Sequence, residues 1–114
     1  MKDYSKYLNN KSPDVAYILN ELFVILDKIT AKDYEVEEKQ TSLHIVKSSA
    51  FLGVHFLKDK LRLNIVLNHV ATSDKLHKSE QVSKNRFHNE IDLRTVKDLS
   101  DIEMLIKEAY FLKT

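Results

Sequence analysis

Two histidines and an arginine fall one each on three consecutive segments that the sequence predicts to be β-strands. These are His44, His55 and Arg62, with Asn64 two residues beyond the arginine. An arginine offers a planar fork of donors, and each imidazole can donate or accept a hydrogen bond. Side by side at a Cβ spacing of about 5 Å, these groups could hold a phosphate or a carboxylate. The alternative is an ordinary solvated outer face of an antiparallel sheet.

The alignment of these residues depends on two predicted turns. A two-residue turn at Ser49-Ala50 would place His44 opposite His55, and a second at Lys58-Asp59 would place His55 opposite Arg62. The same register puts the apolar residues of these strands on one face, where a slip of one residue would expose a row of them. The apolar set is Leu43, Ile45, Leu52, Val54, Phe56, Leu61, Leu63 and Ile65.

The sequence gives little support for a catalytic site, a metal site or a cofactor site. The two histidines would need a carboxylate such as Glu90 or Asp92 to complete a metal site, and the neighbouring arginine would repel the cation. The same two carboxylates face water in the predicted strand and would stay ionised, which makes a poor general acid. The chain has no cysteine, and Gly53 is its one glycine, so neither a thiolate site nor a glycine-rich phosphate loop is present. We expect no metal and no cofactor, and an enzyme of unknown type is the weakest alternative.

The segment 68–86 is polar and lacks a clear strand or helix pattern, so we expect a loop, part of which folds back on the body. Its cations, Lys75, Lys78, Lys84 and Arg86, could contact a phosphate backbone. The alternative is a solvated loop. The formal charge of +1 argues against a strongly basic nucleic-acid binder, and contact through so few charges would be weak and salt-sensitive.

Hydrophobic periodicity around these residues predicts an α+β fold. Ser12 as N-cap and Pro13 at the first position open a helix that runs to about Ile29. The segment through Asn10, where Tyr4, Tyr7 and Leu8 share a face, could hold a short one. A capping box at Thr95–Asp98 or at Ser100–Glu103 opens a last helix. The strands are predicted at 34–39, 42–48, 51–57, 61–67 and 87–93. We therefore expect a single domain over 1–114, an antiparallel meander of about four to five strands packed by an N-terminal and a C-terminal helix.

Composition bears on location and assembly. No apolar stretch approaches the roughly 20 residues that span a bilayer, and the N-terminus has no signal-peptide pattern, so a cytoplasmic protein without membrane contact is expected. Phe51, Leu57 and Val66 fall on the outer face of the predicted sheet, where they could bury against the polar loop or a second copy of the chain. Both a monomer and a homodimer remain open.

Three stretches resemble a bacterial family catalogued as domain of unknown function five-six-five-five: Lys11–Val15, then 76–83 with 87–93, then Asp98-Leu99 with 106–110. The resemblance implies a small α+β module found alone or attached to other bacterial domains, some linked to DNA defence, and it implies no established activity. We expect an accessory interaction module that binds a protein partner or, weakly, nucleic acid. A small-ligand or anion-binding domain is the competing hypothesis.

Overall fold

A computed structural model describes residues 3–113. Six antiparallel strands form one open sheet, and helices from both ends of the chain pack on one of its faces, which confirms the predicted α+β fold. The elements are α1 (Ser5–Leu8), α2 (Pro13–Thr30), β1 (Glu35–Glu38), β2 (Ser42–Val46), β3 (Ala50–Phe56), β4 (Leu61–Leu67), β5 (Leu76–Ser83), β6 (Arg86–Leu93), α3 (Val96–Asp101) and α4 (Glu103–Phe111).

The long helix α2 begins where the sequence predicts, with Pro13 at its first position and Asp14 in its first turn. Ser12 is the N-cap residue, but its side chain makes no capping hydrogen bond, so that part of the prediction is wrong. Its backbone N–H instead donates to Lys58 O at 2.8 Å, which ties the start of the helix to the β3–β4 turn.

The last helical region begins with the first of the two predicted capping boxes. The Thr95 hydroxyl accepts from the Asp98 backbone N–H at 3.3 Å, and the Asp98 carboxylate accepts from the Thr95 backbone N–H at 3.1 Å. The second predicted box is not formed, because the helix is interrupted at Ile102, which ends α3 and precedes α4.

The sheet has the order β1-β2-β3-β4-β6-β5. The first four strands follow one another as the predicted meander. The chain then crosses from β4 to the far edge, runs back along it as β5, and returns as β6 between β5 and β4. Residues 68–75 make this crossing.

Strand β5 shows that the prediction of a loop over 68–86 is wrong. It pairs with β6 along the sheet edge, and most of its side chains are exposed. Only Leu76 and Ser79 of this strand are partly buried, so it lacks the apolar alternation that marks a half-buried strand. The sheet therefore has one strand more than predicted.

The β2–β3 hairpin corrects the predicted register by two residues. His44 pairs with Gly53 and not with His55, and Val46 pairs with Ala50, so residues 47–49 make the turn. The second hairpin is as predicted, with His55 opposite Arg62. Because side chains alternate with a period of two, the two-residue shift leaves the regularly paired residues 42–45 and 52–55 on their expected faces.

The core fills the space between the helices and the inner face of the sheet, and the predicted apolar face is confirmed. Phe56 is partly buried, and the other seven residues of that set are fully buried. Helix α4 packs on β3 and β4, and α2 packs on β4 and on both C-terminal helices. The largest fully buried helical side chains are Ile18, Leu22 and Leu26.

Phe51 is also part of this core, which contradicts its predicted place on the outer face. The pairing steps from Ile45–Leu52 to Val46–Ala50, so Phe51 is the extra residue of a β-bulge. Its ring meets that of Tyr110 edge-on at 5.4 Å between centroids. Val66 is buried as well, so two of the three residues that suggested an outer-face homodimer are covered within the chain.

Asn89 is a buried polar residue on the inner face of β6, with 0% exposure. Its Oδ1 accepts from Ala71 N at 2.9 Å and from Ser79 Oγ at 2.8 Å. Its Nδ2 donates to Ile65 O at 3.3 Å and to His69 O at 3.2 Å. One side chain thus joins β4, β5 and the crossing segment.

No helix within residues 3–113 combines the length and the apolar character that crossing a membrane requires.

Candidate functional site

The open face of the sheet carries two neighbouring rows of paired residues that run across the strands. In the first row, Arg62 on β4 pairs with His55 on β3 and with Asp92 on β6. In the second row, Asn64 pairs with Gly53 and with Glu90. The rows are formed because these positions alternate with buried apolar residues on the same strands.

The rows border a concave pocket of about 420 Å³, which we call the sheet-face basin. Its lining spans β3, β4, β6 and β5 and comprises Thr41, His55, Phe56, Leu57, Arg62, Asn64, Glu80, His88 and Glu90. Three of the four residues that the sequence proposed for a ligand, His55, Arg62 and Asn64, are in this lining. The fourth, His44, lies on the same face beside Gly53 but does not line the basin.

Arg62 is bound by carboxylates. Its Nε donates to Asp92 Oδ1 at 2.6 Å and its Nη2 to Asp92 Oδ2 at 3.2 Å, while Nη1 lies 3.8 Å from Glu90 Oε1. Lys60 Nζ donates to the same Asp92 at 3.0 Å. Arg62 is therefore not the open fork for an anion that the sequence predicts, because two edges of its guanidinium are already occupied.

This ion pair shifts the pKa of both partners. The hydrogen bond to Asp92 raises the pKa of Arg62. Burial acts to raise the pKa of Asp92, but the hydrogen bonds from Arg62 and Lys60 prevail and lower it. Both groups are therefore charged at neutral pH.

The two imidazoles of the basin are neutral at pH 7. Partial loss of water in the pocket lowers the pKa of His55, and the positive charge of Arg62 adds to this effect while Glu90 opposes it. Loss of water and nearby Arg86 likewise lower the pKa of His88. A neutral imidazole offers one donor and one acceptor.

Gly53 leaves space at the floor of the site. A Cβ at this position would lie 3.4 Å from Asn64 Cβ and 3.6 Å from His55 Nε2, so the imidazole occupies the space beside a residue without a side chain. Asn64 Oδ1 is buried and has no hydrogen-bond partner among residues 3–113. Buried acceptors are nearly always paired, which marks Asn64 as an unmet hydrogen-bonding position at the edge of the basin.

The charge of the lining is slightly negative. With both imidazoles neutral, the carboxylates of Glu80 and Glu90 stand against the single guanidinium of Arg62. Lys78 Nζ lies 3.7 Å from Glu80 Oε2 outside the lining. The basin thus offers several donors and acceptors and no excess of positive charge.

The four cations proposed for nucleic-acid contact do not form one surface. Lys75 lies within 4 Å of Asp74, Asp98 and Asp101, close to α3. Lys84 is in the β5–β6 turn at the other end of β5, and an eight-residue strand spans about 26 Å.

The other two cations of this set have partners of their own. Lys78 is near Glu80, and Arg86 Nε donates to His88 Nε2 at 3.4 Å. Within the described part of the chain, these four cations therefore do not form a continuous basic stripe for a phosphate backbone.

In the part of the chain that the structure describes, no group of three or more histidine, aspartate or glutamate side chains is placed to hold a metal ion.

His88 and Glu80 are basin residues that sequence reasoning missed. The sequence does contain a signal for His88. This residue alternates with Phe87 and Asn89, so it shares a face of the strand with Glu90. Using this signal required the β4–β6 pairing, which places His88 beside Val66. Glu80 had no such signal, since β5 was not recognised as a strand.

The histidines should titrate in a defined order. We expect the pKa values of His55 and His88 below 6.5, and that of His69 above 6.5 because it bonds Val70 O and the Glu108 carboxylate. Histidine Cε1–H NMR shifts followed against pH measure all three. Equal midpoints for His55 and His69 would contradict the described environments.

The same shifts have opposite consequences for stability. As the pH falls, His55 and His88 take up protons in the unfolded chain before they do so in the folded chain. Their contribution to the free energy of unfolding is therefore complete above about pH 6.5 and is lost as the pH falls through their lowered pKa values. The contribution of His69 is present below about pH 6.5 and is lost as the pH rises through its raised pKa.

Comparison with known proteins places this chain at the level of a family. No curated protein and no solved structure matches this chain. A family model described as Domain of unknown function (DUF5655) matches residues 4–113. That match covers nearly the whole chain and agrees with the resemblance seen in its sequence motifs. The chain therefore belongs to the DUF5655 family, a domain of unknown function.

Proposed function

We propose that this chain is a binding module whose sheet-face basin takes a small polar ligand. The observation that supports this most is the grouping of two neutral imidazoles, two carboxylates and the Asn64 amide oxygen, unpartnered within residues 3–113, around one pocket of about 420 Å³. Pockets of this size with a few convergent polar groups are the usual setting of small-molecule sites. The proposal involves binding and no chemical step.

The ligand is expected to be neutral or cationic. Arg62 is bound to Asp92, and an anion would meet Glu80 and Glu90 in the same lining. A molecule that donates hydrogen bonds would find acceptors at Asn64 and at the carboxylates. Nucleosides, sugars and small amines have this character, whereas phosphorylated compounds do not.

A second candidate is an accessory role in which a protein partner pairs with the outer edge of β5. This strand is at the end of the sheet order, so one side of its backbone has no strand beside it. An extended peptide can add to such an edge by main-chain hydrogen bonds. Lys78 and Glu80 carry charged side chains, so this pairing is limited to a partner strand with complementary charges at the opposite positions.

Thermal unfolding in the presence of a compound panel tests the basin. Nucleosides, sugars and amines are compared with their phosphorylated counterparts, and a ligand at 100 times its dissociation constant should stabilise the chain by about 2.7 kcal/mol. We expect stabilisation by members of the first group and little by the second.

Two histidine variants form a matched pair for any compound that binds. His55→Ala removes an imidazole from the lining and should weaken binding about tenfold, or about 1.4 kcal/mol. His44→Ala removes an imidazole from the same face outside the lining and should leave affinity within about twofold. Equal losses from both variants, or stabilisation by phosphorylated compounds alone, would rule out this site assignment.

A further inference from the structure

A second pocket, of about 310 Å³, lies where α2 meets α1 and β1. Three aromatic residues, Tyr4, Phe23 and Tyr34, contribute to its lining together with Asp27. It shares no lining residue with the sheet-face basin. Its chemistry is also different, because the described residues that line it are mostly aromatic or apolar and include one carboxylate.

The aromatic groups are held in place by contacts with each other and with the helix. The rings of Tyr4 and Phe23 stack with centroids 5.5 Å apart and planes inclined by 7°. The Tyr34 hydroxyl donates to Asp27 Oδ1 at 2.6 Å. This hydrogen bond fixes the phenol and the carboxylate relative to one another at the pocket wall.

The Asp27 carboxylate has no cationic partner among residues 3–113. Within residues 3–113 no lysine, arginine or histidine nitrogen lies within 4 Å of it, although many other acidic side chains of the chain have such a neighbour. Within residues 3–113 the remaining lining groups are Asn20 and the apolar side chains of Val24 and Val36. A carboxylate that lines a pocket with aromatic side chains, and has no counter-ion among the described residues, is complementary to a cation.

We propose that this aromatic pocket binds a methylated ammonium group. Aromatic faces attract cations through the ring quadrupole, and the effect is largest for cations that lose little hydration on binding. Methyl groups on the nitrogen also fit the apolar side chains of the pocket. The carboxylate of Asp27 provides the charge that distinguishes such a ligand from a neutral group of the same shape.

Isothermal titration of the folded chain with choline and with 3,3-dimethyl-1-butanol tests the charge requirement. The two compounds have nearly the same shape, but the alcohol carries no positive charge. We expect choline to bind about tenfold more tightly, a difference of about 1.4 kcal/mol. Equal affinities would show an apolar pocket without cation recognition and would overturn the proposal, as would no detectable binding of choline at millimolar concentration.

Variants on α2 connect the effect to the pocket. Asp27→Asn removes the charge but keeps an oxygen that can accept from the Tyr34 hydroxyl, so the fold should persist, and thermal unfolding checks this. Choline binding should weaken at least fivefold. Asp14→Asn, in the first turn of the same helix and outside the pocket, is the control and should bind as the wild type does. Unchanged affinity in Asp27→Asn would contradict the proposal.

A third titration distinguishes the two sources of this chemistry. A peptide carrying trimethyllysine presents the same group on a protein side chain, and choline presents it on a free small molecule. Tighter binding of the peptide than of its unmethylated form and of choline identifies a protein partner. Tighter binding of choline identifies a small molecule. Because the two pockets share no residue, failure here leaves the proposal for the sheet-face basin unaffected.

Discussion

Replacing Asn89 with alanine is expected to lower the free energy of unfolding by about 3 to 5 kcal/mol. The side chain makes four hydrogen bonds in a fully buried position, to Ala71, Ser79, Ile65 and His69. Its removal leaves a buried backbone N–H and backbone carbonyls without that partner, and each unpaired group costs about 1 to 3 kcal/mol. Chemical denaturation followed by circular dichroism measures the change.

The matched control is Asn85→Ala. Asn85 is an exposed residue in the β5–β6 turn, so its loss should change stability by no more than about 0.5 kcal/mol. A loss below about 1 kcal/mol for Asn89→Ala would mean that the crossing segment 68–75 is not held by this side chain.

Phe51→Ala should lower the free energy of unfolding by about 3 to 5 kcal/mol, the usual cost of removing a fully buried phenylalanine. The ring has 0% exposure and packs on Tyr110. Without the β-bulge it would face outward on the sheet, and its loss would then cost far less. The same denaturation experiment therefore tests the bulge itself.

Phe111→Ala is the natural comparison. Its ring also meets that of Tyr110 edge-on, at 5.2 Å between centroids, but 49% of the residue is exposed. The burial of Phe51, and not its contact with Tyr110, distinguishes the two positions. We expect Phe111→Ala to cost less than half as much, and similar losses would argue that Phe51 is not in the core.

The face of each central strand could be predicted from the sequence, but one of the two turns could not. Alternation in β2 and β3 identifies which residues point inward, and a shift of two residues preserves that assignment. The predicted pairing of His44 with His55 and the actual pairing of His44 with Gly53 therefore satisfy the same pattern. The β-bulge at Phe51 belongs to the actual pairing and not to the predicted one. The turn residues 47–49 contain no glycine or asparagine that would indicate this bulge.

Strand β5 and Asn89 show a different limit. Most side chains of this edge strand are exposed and it has no apolar period, so its sequence looks like that of a loop. Asn89 is at an inward position by alternation with Phe87 and Ile91, but a polar residue there is stable only with partners from the crossing segment and β5. Those partners come from tertiary structure that the local pattern does not contain.

Most of the candidate site could be anticipated, although its chemistry could not. His55, Arg62 and Asn64 are placed on the open face by alternation alone, and all three line the basin. That Arg62 is bound by Asp92 depends on β6 lying next to β4. This pairing changes the expected ligand from an anion to a neutral or cationic molecule.

Resolved histidine signals during ligand titration test the central claim most directly. When a stabilising compound is added, we expect the NMR signals of His55 and His88 to move together, with the same saturation curve, because both rings line one pocket. Those of His69 and His77, which are outside it, should stay unchanged. Movement of His69 or His77 with His55 and His88 fixed would show that the compound binds elsewhere and that the basin is only solvated surface.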